Sequence, residues 1–487
     1  MNHRPRNFYP AIPQIKAIFF LCCMGLLVFY GTLHSPFHYD DAHAIVESPH
    51  IKDLSKFQER VGIQNVFNRS VLLLSFAVNQ HLGEMKVFGY HLVNILIHIL
   101  NSILWFFLVK GFLYIEPSKN RLLLNTLPLV CSIIHLVNPI NVQAVTYLSS
   151  RSSLLATFFY LLAFYIFLKI LKPSKEVFSK LRTPIYVFSL LIFLFLGIAT
   201  KEIVASFPLI VIVYLWLATP NEKRKSLIPK FISILFMFLI FIGYRFFEQG
   251  NLFSIKADPA STNTHHLLYL FSQIKVIVGY YLLKLLAPFN LNFEPDIVLY
   301  SNWFHWDWVI SLTILLITGI IIFKQQSKLI KFGALWFLIT LLPTSSFIPL
   351  KQLATEHRTY LPGLGFSLVL GWVILNIKNY QKMAKLLFLI FILLSSTLTL
   401  NRSLDFRSEV SLWEDTSLKS PRKALVHNNL ATAYMADDQL QKAKDALITA
   451  LTINPSQTDS HINLGHIAGR EKNWEQAIEK FDLGISL

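Results

Sequence analysis

Charge is what this 487-residue chain has least of: Asp, Glu, Lys and Arg make up 15% of it, against 54% hydrophobic and 14% aromatic residues. A soluble domain carries about a quarter of its residues charged, so a water-soluble globule is excluded and a polytopic membrane protein is implied. Cysteine is scarce too. Cys22, Cys23 and Cys131 all fall inside apolar stretches, which leaves no disulfide framework and no thiolate spacing for a metal. The sequence has no glycine-rich phosphate loop of the Walker or dinucleotide-binding type, so a nucleotide-driven reaction is unsupported. Acidic residues are outnumbered 28 to 44 by Lys and Arg, a formal net charge of +16. That surplus does not point to nucleic acid, because the basic residues gather in short links between apolar runs: Lys172, Lys175, Lys180 and Arg182; Lys223, Arg224, Lys225 and Lys230; Lys324, Lys328 and Lys331; Lys378, Lys382 and Lys385. Links of this kind orient helices against the cytoplasmic face; single-strand binding would instead need basic residues interleaved with exposed aromatics.

What is present in quantity is apolar length. The first run, Ile15 to Leu33, follows the basic residues Arg4, Arg6 and Lys16, and reads as a retained anchor crossing from the cytoplasm outward. Further spans are expected at Phe88 to Val109, Leu122 to Val137, Ser152 to Ile170, Ile185 to Ala199, Ile203 to Ala218, Phe231 to Phe247, Trp308 to Phe323, Phe332 to Leu350, Leu361 to Leu375 and Leu386 to Leu400, making about eleven. The fold class expected is therefore all-α. Leu267 to Leu286, which contains Lys275 and Lys284, breaks the alternation of basic links and reads as a re-entrant or interfacial element. Two long outer loops follow from this topology. Residues 34–87 carry the adjacent acids Asp40 and Asp41 and a short apolar piece, Val71 to Val78, too short to cross; Ala287 to Asp307 is rich in Pro, Asn and aromatics, with Trp303, Trp306 and Trp308 suited to an interfacial belt.

After Arg402 the pattern turns to that of a soluble helical array, so residues 1–402 read as the membrane domain and 403–487 as a repeat segment on the outer side. His427, Asn429, Leu430 and Ala443 recur as His461, Asn463, Leu464 and Ala477; Pro421 recurs as Pro455, and Leu447 is matched by Phe481. The shared spacing of thirty-four is the tetratricopeptide period. About three stacked repeats are needed for stability, so so short an array is expected to lean on the membrane domain or to be cut short.

The ionisable residues collect at the outer helix ends: Asp40, Asp41, His43, Arg69, His91, His135, Arg151, Lys201, Glu202, Glu356, His357 and Arg358, with Asn94 and Asn138 among them. Charges at that depth are costly unless they have a partner or a task, and together they read as a functional cleft. Either aspartate suits a general base for a hydroxyl acceptor; the pair could instead hold a hard cation, or one could cap the following helix. Arg69, Arg151, Lys201 and Arg358 suit an anionic leaving group, although Lys201 and Glu202 could simply pair with each other. His91, Asn94 and His98 lie on one helix face, where two histidines two turns apart make a poor chelate and packing is expected.

The motifs Tyr39-Asp40-Asp41-Ala42-His43-Ala44-Ile45-Val46, Asn68-Arg69-Ser70, Gly89-Tyr90-His91-Leu92-Val93-Asn94, Asn138-Pro139-Ile140 leading to Arg151 and Leu154-Leu155, Thr200-Lys201-Glu202, Leu342-Pro343 and Glu356-His357-Arg358-Thr359-Tyr360-Leu361-Pro362 resemble, in this order, the transmembrane and tetratricopeptide-repeat O-mannosyltransferases and their bacterial relatives. The resemblance implies a glycosyltransferase of the GT-C fold. It would transfer a sugar, with mannose in view, from a polyprenyl or dolichyl monophosphate carrier to an acceptor hydroxyl of a protein on the lumenal or periplasmic side. It implies that Asp40 or Asp41 is the base; beside it, the residues themselves put His91, Arg69, Arg151, Lys201, Glu202, Glu356 and Arg358 in the donor's phosphate and sugar site, with a protein acceptor approaching from the side where the repeats lie. No cofactor is required for an already activated sugar phosphate; a divalent cation could help neutralise it, but no metal site is expected. Where the family often reads histidine then glutamate after the proline, this chain has Asn141 and Gln143. The alternatives are a ligase or polymerase working from a diphosphate-linked glycan and a non-catalytic scaffold built on the repeats. The residence expected is a bacterial inner membrane, with the endoplasmic reticulum as the alternative.

Overall fold

The computed structural model describes residues 13–53, 56, 69–113, 115–116, 121–171, 179–219, 266–346, 349–350, 352–377 and 381–487, and among these every regular element is helical. Two helices of the apolar half, α1 (Gln14–Phe29) and α2 (Ser70–Gly83), flank the acidic loop; then come α3 (Val87–Phe112), α4 (Arg121–Leu136), α5 (Val142–Thr146), α6 (Arg151–Leu171), α7 (Ser179–Ile198) and α8 (Phe207–Ala218). After the undescribed stretch follow α9 (His266–Leu286), α10 (Trp306–Lys324), α11 (Lys328–Leu341), α12 (Pro362–Leu375) and α13 (Gln381–Asp405). Five helices close the chain: α14 (Glu409–Lys419), α15 (Ala424–Ala436), α16 (Leu440–Ile453), α17 (Thr458–Arg470) and α18 (Trp474–Ser486).

Among the described residues six helices are long and apolar enough to cross a membrane, and seven if α4 and the segment Pro139–Thr146, bent by 52° at the Asn138-Pro139 break, form one span. Of the eleven expected spans, these, α9 apart, are the ones the described residues bear out at crossing length. Thr183–Ile198, Glu202–Ala218 and Pro362–Leu375 are apolar but shorter, and α11 stops at Leu341 instead of running to Leu350 because Pro343 cannot continue the ladder. The expected span Phe231 to Phe247 lies outside the described residues. Leu267 to Leu286, expected as a re-entrant or interfacial element, lies in one continuous helix long and apolar enough to cross, α9. Its lysines are accommodated: Lys275 pairs with Asp307 at 2.6 Å, and Lys284 reaches out to donate to the Phe289 carbonyl. The apolar piece Val71 to Val78 is part of α2, fourteen residues long.

The close approach of α11 and α12 depends on glycine. A Cβ on Gly365 would come within 2.8 Å of Phe337 N and still closer to the Gly333 carbonyl oxygen, so the two backbones touch where small residues permit it. One apolar cluster runs from Ala17, Phe29 and Tyr90 through Phe293 and Phe406 to Trp413, Val426 and Leu447, so the membrane helices and the closing helices share a core. The boundary expected at residue 402 falls inside α13, which continues unbroken to Asp405 before the Ser408 side chain caps α14. In the closing helices the thirty-four-residue correspondence is structural: His427 Nε2 donates to the Pro421 carbonyl at 2.9 Å, and His461 Nε2 donates to that of Pro455 at 2.9 Å. Gly465 faces the Phe481 ring at a distance that leaves no room for a methyl group.

Candidate active site at the loop end of the bundle

The acidic loop leaves α1 and turns sharply at Tyr39, whose φ of 46° is in the left-handed region. This turn separates the two acids. Asp40 is exposed, whereas Asp41 is fully buried with both oxygens engaged. Ser149 donates to Asp41 Oδ1 from its backbone N at 2.7 Å and from its hydroxyl at 2.5 Å, and His38 N donates to Oδ2 at 3.0 Å. Burial pushes the Asp41 carboxyl up to about 6, against the opposing pull of these bonds. Tyr147, just before Ser149, lies beside both acids.

Three cations from distant parts of the sequence meet at the same end. Lys201 sits in the tight turn between α7 and the 3₁₀ turn Glu202–Ser206, is 7% exposed and donates to Ser153 Oγ at 2.9 Å. Burial first, then the neighbouring Arg69 and Arg358, push its ammonium down to about 8, while Glu202 pulls the other way. Arg69 is exposed with φ 58° at the start of α2; Asn68, its motif neighbour, lies outside the described residues. Arg358 lies in the turn Glu356–Thr359 and donates to the Leu353 carbonyl at 3.3 Å. His357 is in the same field: burial, Lys201, Arg358 and Arg69 together hold its imidazole well below its usual range, hence neutral, and its Nδ1 has no hydrogen-bond partner among the described residues.

Three expected site residues have their polar groups engaged by the protein itself. Arg151 is completely buried, and its guanidinium is spent on protein: Nε donates to Asn94 Oδ1 at 2.6 Å, Nη1 to Asn79 Oδ1 at 2.6 Å, Nη2 to the Tyr90 carbonyl at 2.9 Å, with the Phe76 ring 4.4 Å away. It joins α2, α3 and α6 and has little left to offer a phosphate. His91 is likewise buried, donating to the Ser35 carbonyl at 2.9 Å, and His98 Nδ1 accepts from the Tyr360 hydroxyl at 2.6 Å; the face they share with Asn94 is a packing face. Glu356 is buried beside Arg402, 3.7 Å from Nη2, and Oε1 accepts from Asn292 N at 2.5 Å. Burial raises its carboxyl above the ordinary range.

Arg402 was not among the expected residues. It ties Glu356 to Asp405 at 2.8 Å and Asp415 at 2.9 Å; the Arg402–Asp405 spacing of three at the end of an apolar helix was its only sequence signal. Gln143, at the position where the departure from the family pattern lies, accepts from His357 N at 2.9 Å and donates to the Phe293 carbonyl at 3.2 Å. Among the described residues no group of three His, Cys, Asp or Glu side chains is arranged to hold a metal.

No protein-family model and no solved structure matches the chain. It is 25% identical, over 91% of its length, to a protein O-mannosyl-transferase of Caenorhabditis elegans, 23% over 97% to the protein O-mannosyl-transferase TMTC3 of Homo sapiens, and 23% over 99% to Tmtc3 of Drosophila melanogaster. The chain spans 63%, 55% and 60% of the lengths of those three proteins. With six helices among the described residues long and apolar enough to cross a bilayer, this is a membrane protein whose curated homologues over most of its length are protein O-mannosyl-transferases, the family its motifs resemble.

Proposed function

We propose that the chain is a membrane glycosyltransferase that moves a mannose from a polyprenyl-phosphate carrier to a serine or threonine hydroxyl of a protein, on the periplasmic or lumenal side. The observation that carries the reading is the meeting of Arg69, Lys201 and Arg358 at the end of the bundle that also holds the acid pair, with only Glu202 acting on Lys201 against them. A carrier lipid arrives sideways through the bilayer, so its phosphate meets protein where the helices end. Three cations there suit the phosphate both as bound and as it leaves with the extra charge. Neutral His357 adds a ring nitrogen without adding charge.

Asp40 is the base. It is the exposed member of the pair, so an acceptor hydroxyl can reach it; Asp41, enclosed by Ser149 and His38, fixes the loop. The acceptor oxygen attacks the anomeric carbon as the bond from that carbon to the phosphate oxygen breaks, Asp40 takes the hydroxyl proton, and the carrier phosphate leaves into the cationic cluster. The residues of the outer end need no metal for this balance. The closing helices are the repeats, and their place beside the loop gives a protein acceptor its approach.

Purified protein is given dolichyl-phosphate mannose and a Ser/Thr peptide, and the mannosylated peptide is counted by mass spectrometry. Asp40→Asn should lower turnover by 10²-fold or more, a range typical of a lost general base, while Arg358→Ala should chiefly raise the donor KM. Full turnover by Asp40→Asn overturns the base assignment, and donor use that is indifferent to Arg358→Ala removes that residue from the phosphate site.

A further inference from the structure

The acidic loop is not held by the membrane helices alone. Glu409, the first residue of α14, accepts from Tyr39 N with Oε1 at 2.6 Å, and its other oxygen is fixed by Trp413 Nε1 at 2.8 Å. The same Oε1 lies 3.5 Å from Nδ1 of the fully buried His38, whose Nε2 donates to the Phe406 carbonyl at 2.8 Å. His38 and Tyr39 are the two residues before the acid pair, and His38 N donates to Asp41 Oδ2. Tyr39 adopts a left-handed φ of 46°, a conformation an aromatic residue keeps only when its surroundings impose it. Its ring is clasped edge-on by Trp413, 5.4 Å away, and by Phe293, 6.3 Å away.

Building on the function proposed above, we infer that α14, the first helix after the membrane domain, forms part of the active site: Glu409 is a positioning residue that, through Tyr39 N and His38, sets the orientation of Asp40. The argument is geometric. The strained residue that precedes Asp40, Tyr39, has its backbone N held by the Glu409 carboxylate, and that carboxylate is itself aimed by Trp413. Nothing in this chain of contacts touches the cations Arg69, Lys201 and Arg358. The repeat segment then does more than recruit an acceptor: it sets the geometry of the base even for a short peptide that needs no docking surface.

The test uses the full-length protein in nanodiscs, with dolichyl-phosphate mannose and a short Ser/Thr peptide, and compares wild type with Glu409→Ala, Glu409→Gln and Trp413→Phe. Amide hydrogen exchange over residues 37–46 is followed in parallel. A reacting group displaced by about 1 Å costs up to about 10²-fold in rate. Glu409→Ala should therefore lower kcat by about 10- to 100-fold at an unchanged donor KM and speed exchange at residues 38 to 41. Glu409→Gln, which keeps an acceptor for Tyr39 N, should recover part of both, and Trp413→Phe, the milder variant if Glu409→Ala does not accumulate, should lie between. Wild-type kcat in Glu409→Ala, or lost kcat with wild-type exchange, overturns the inference. If wild type itself transfers nothing from this donor, the proposed function fails instead, and exchange over residues 37–46 alone decides whether Glu409 holds the loop.

Discussion

A carboxylate sealed from water with both oxygens occupied cannot be reached by an acceptor hydroxyl, and on the function proposed above this gives the two adjacent aspartates different tasks. Asp41 accepts three hydrogen bonds, two from Ser149 and one from His38. Its neighbour Asp40 is exposed. Their order in the sequence gives no hint of this division, because the donors to Asp41 lie on opposite sides of it and one of them is more than a hundred residues away. The partners of Arg151 and His91 were hidden for the same reason: a cation or an imidazole near a helix end reads alike whether it faces a ligand or a neighbouring carbonyl. The raised Asp41 carboxyl makes a pH prediction. With a folded value of about 6 above an ordinary 3.8, the folded protein binds the proton more tightly than the unfolded chain does. Stability from this group is therefore fullest below about 4, is lost as pH rises through about 6, and stays lost above it, a span worth about 3 kcal/mol. Thermal unfolding of wild type and Asp41→Asn, compared between pH 7 and pH 4, should shift in favour of wild type by up to that amount on acidification. A difference that does not change with pH refutes the assignment.

At the level of elements, apolar length was legible and turn chemistry was not. The runs that became α1, α3, α6, α10 and α13 are long, uniform and flanked by polar residues, so their existence followed from hydropathy. The helix α9 stands apart in the sequence because counting it as a span breaks the alternation of basic links; its lysines find partners at or beyond the helix surface, Lys275 on Asp307 of the next helix. The break after Leu136 and the early end of α11 belong to Pro139 and Pro343, whose effect on length a hydropathy window averages away. Close helix packing was equally invisible, since a glycine in an apolar run reads the same whether it faces lipid or another backbone. Two glycines separate these cases. Gly365 faces Gly333 and Phe337 with no space for a methyl group, while a Cβ on Gly319 in α10 meets nothing within 4 Å. Gly365→Ala should lower the thermal midpoint through overpacking of about 1–3 kcal/mol, and Gly319→Ala should be neutral or gain up to about 1 kcal/mol from helix propensity. Equal midpoints for the two variants, measured in the same detergent, contradict the packing of α11 on α12.

The whole molecule is held together by a polar interface that no single segment discloses. Leu291, Asn292, Glu294 and Asp296 of the loop between α9 and α10 meet Lys419, Ser420, Arg422 and Lys423 at the junction of α14 and α15. The thirty-four-residue period pointed to a helical array after the apolar half, and its small number of units to one that either leans on the membrane domain or is cut short. The residues that give that support could not be read, because each partner is more than a hundred positions from the other. Glu294 is the central member: 2% exposed, it pairs with Lys423, accepts from Gln352 Nε2 at 2.6 Å, and its backbone carbonyl accepts from Ser420 Oγ at 2.8 Å. Together with the shared apolar cluster, this makes the closing helices a part of the same cooperative unit and not a freely tethered module. Wild type should accordingly unfold in one transition by circular dichroism, with no early loss of the α15–α18 signal. Removing one member of a buried charge pair costs about 3–5 kcal/mol, so Glu294→Ala should weaken the docking. Limited proteolysis should then release residues beyond about Asp405 at temperatures where the membrane helices remain intact. Release of that fragment from wild type under the same mild conditions would mean that the array hangs free of the bundle, and the positioning of Asp40 by Glu409 would have no fixed support.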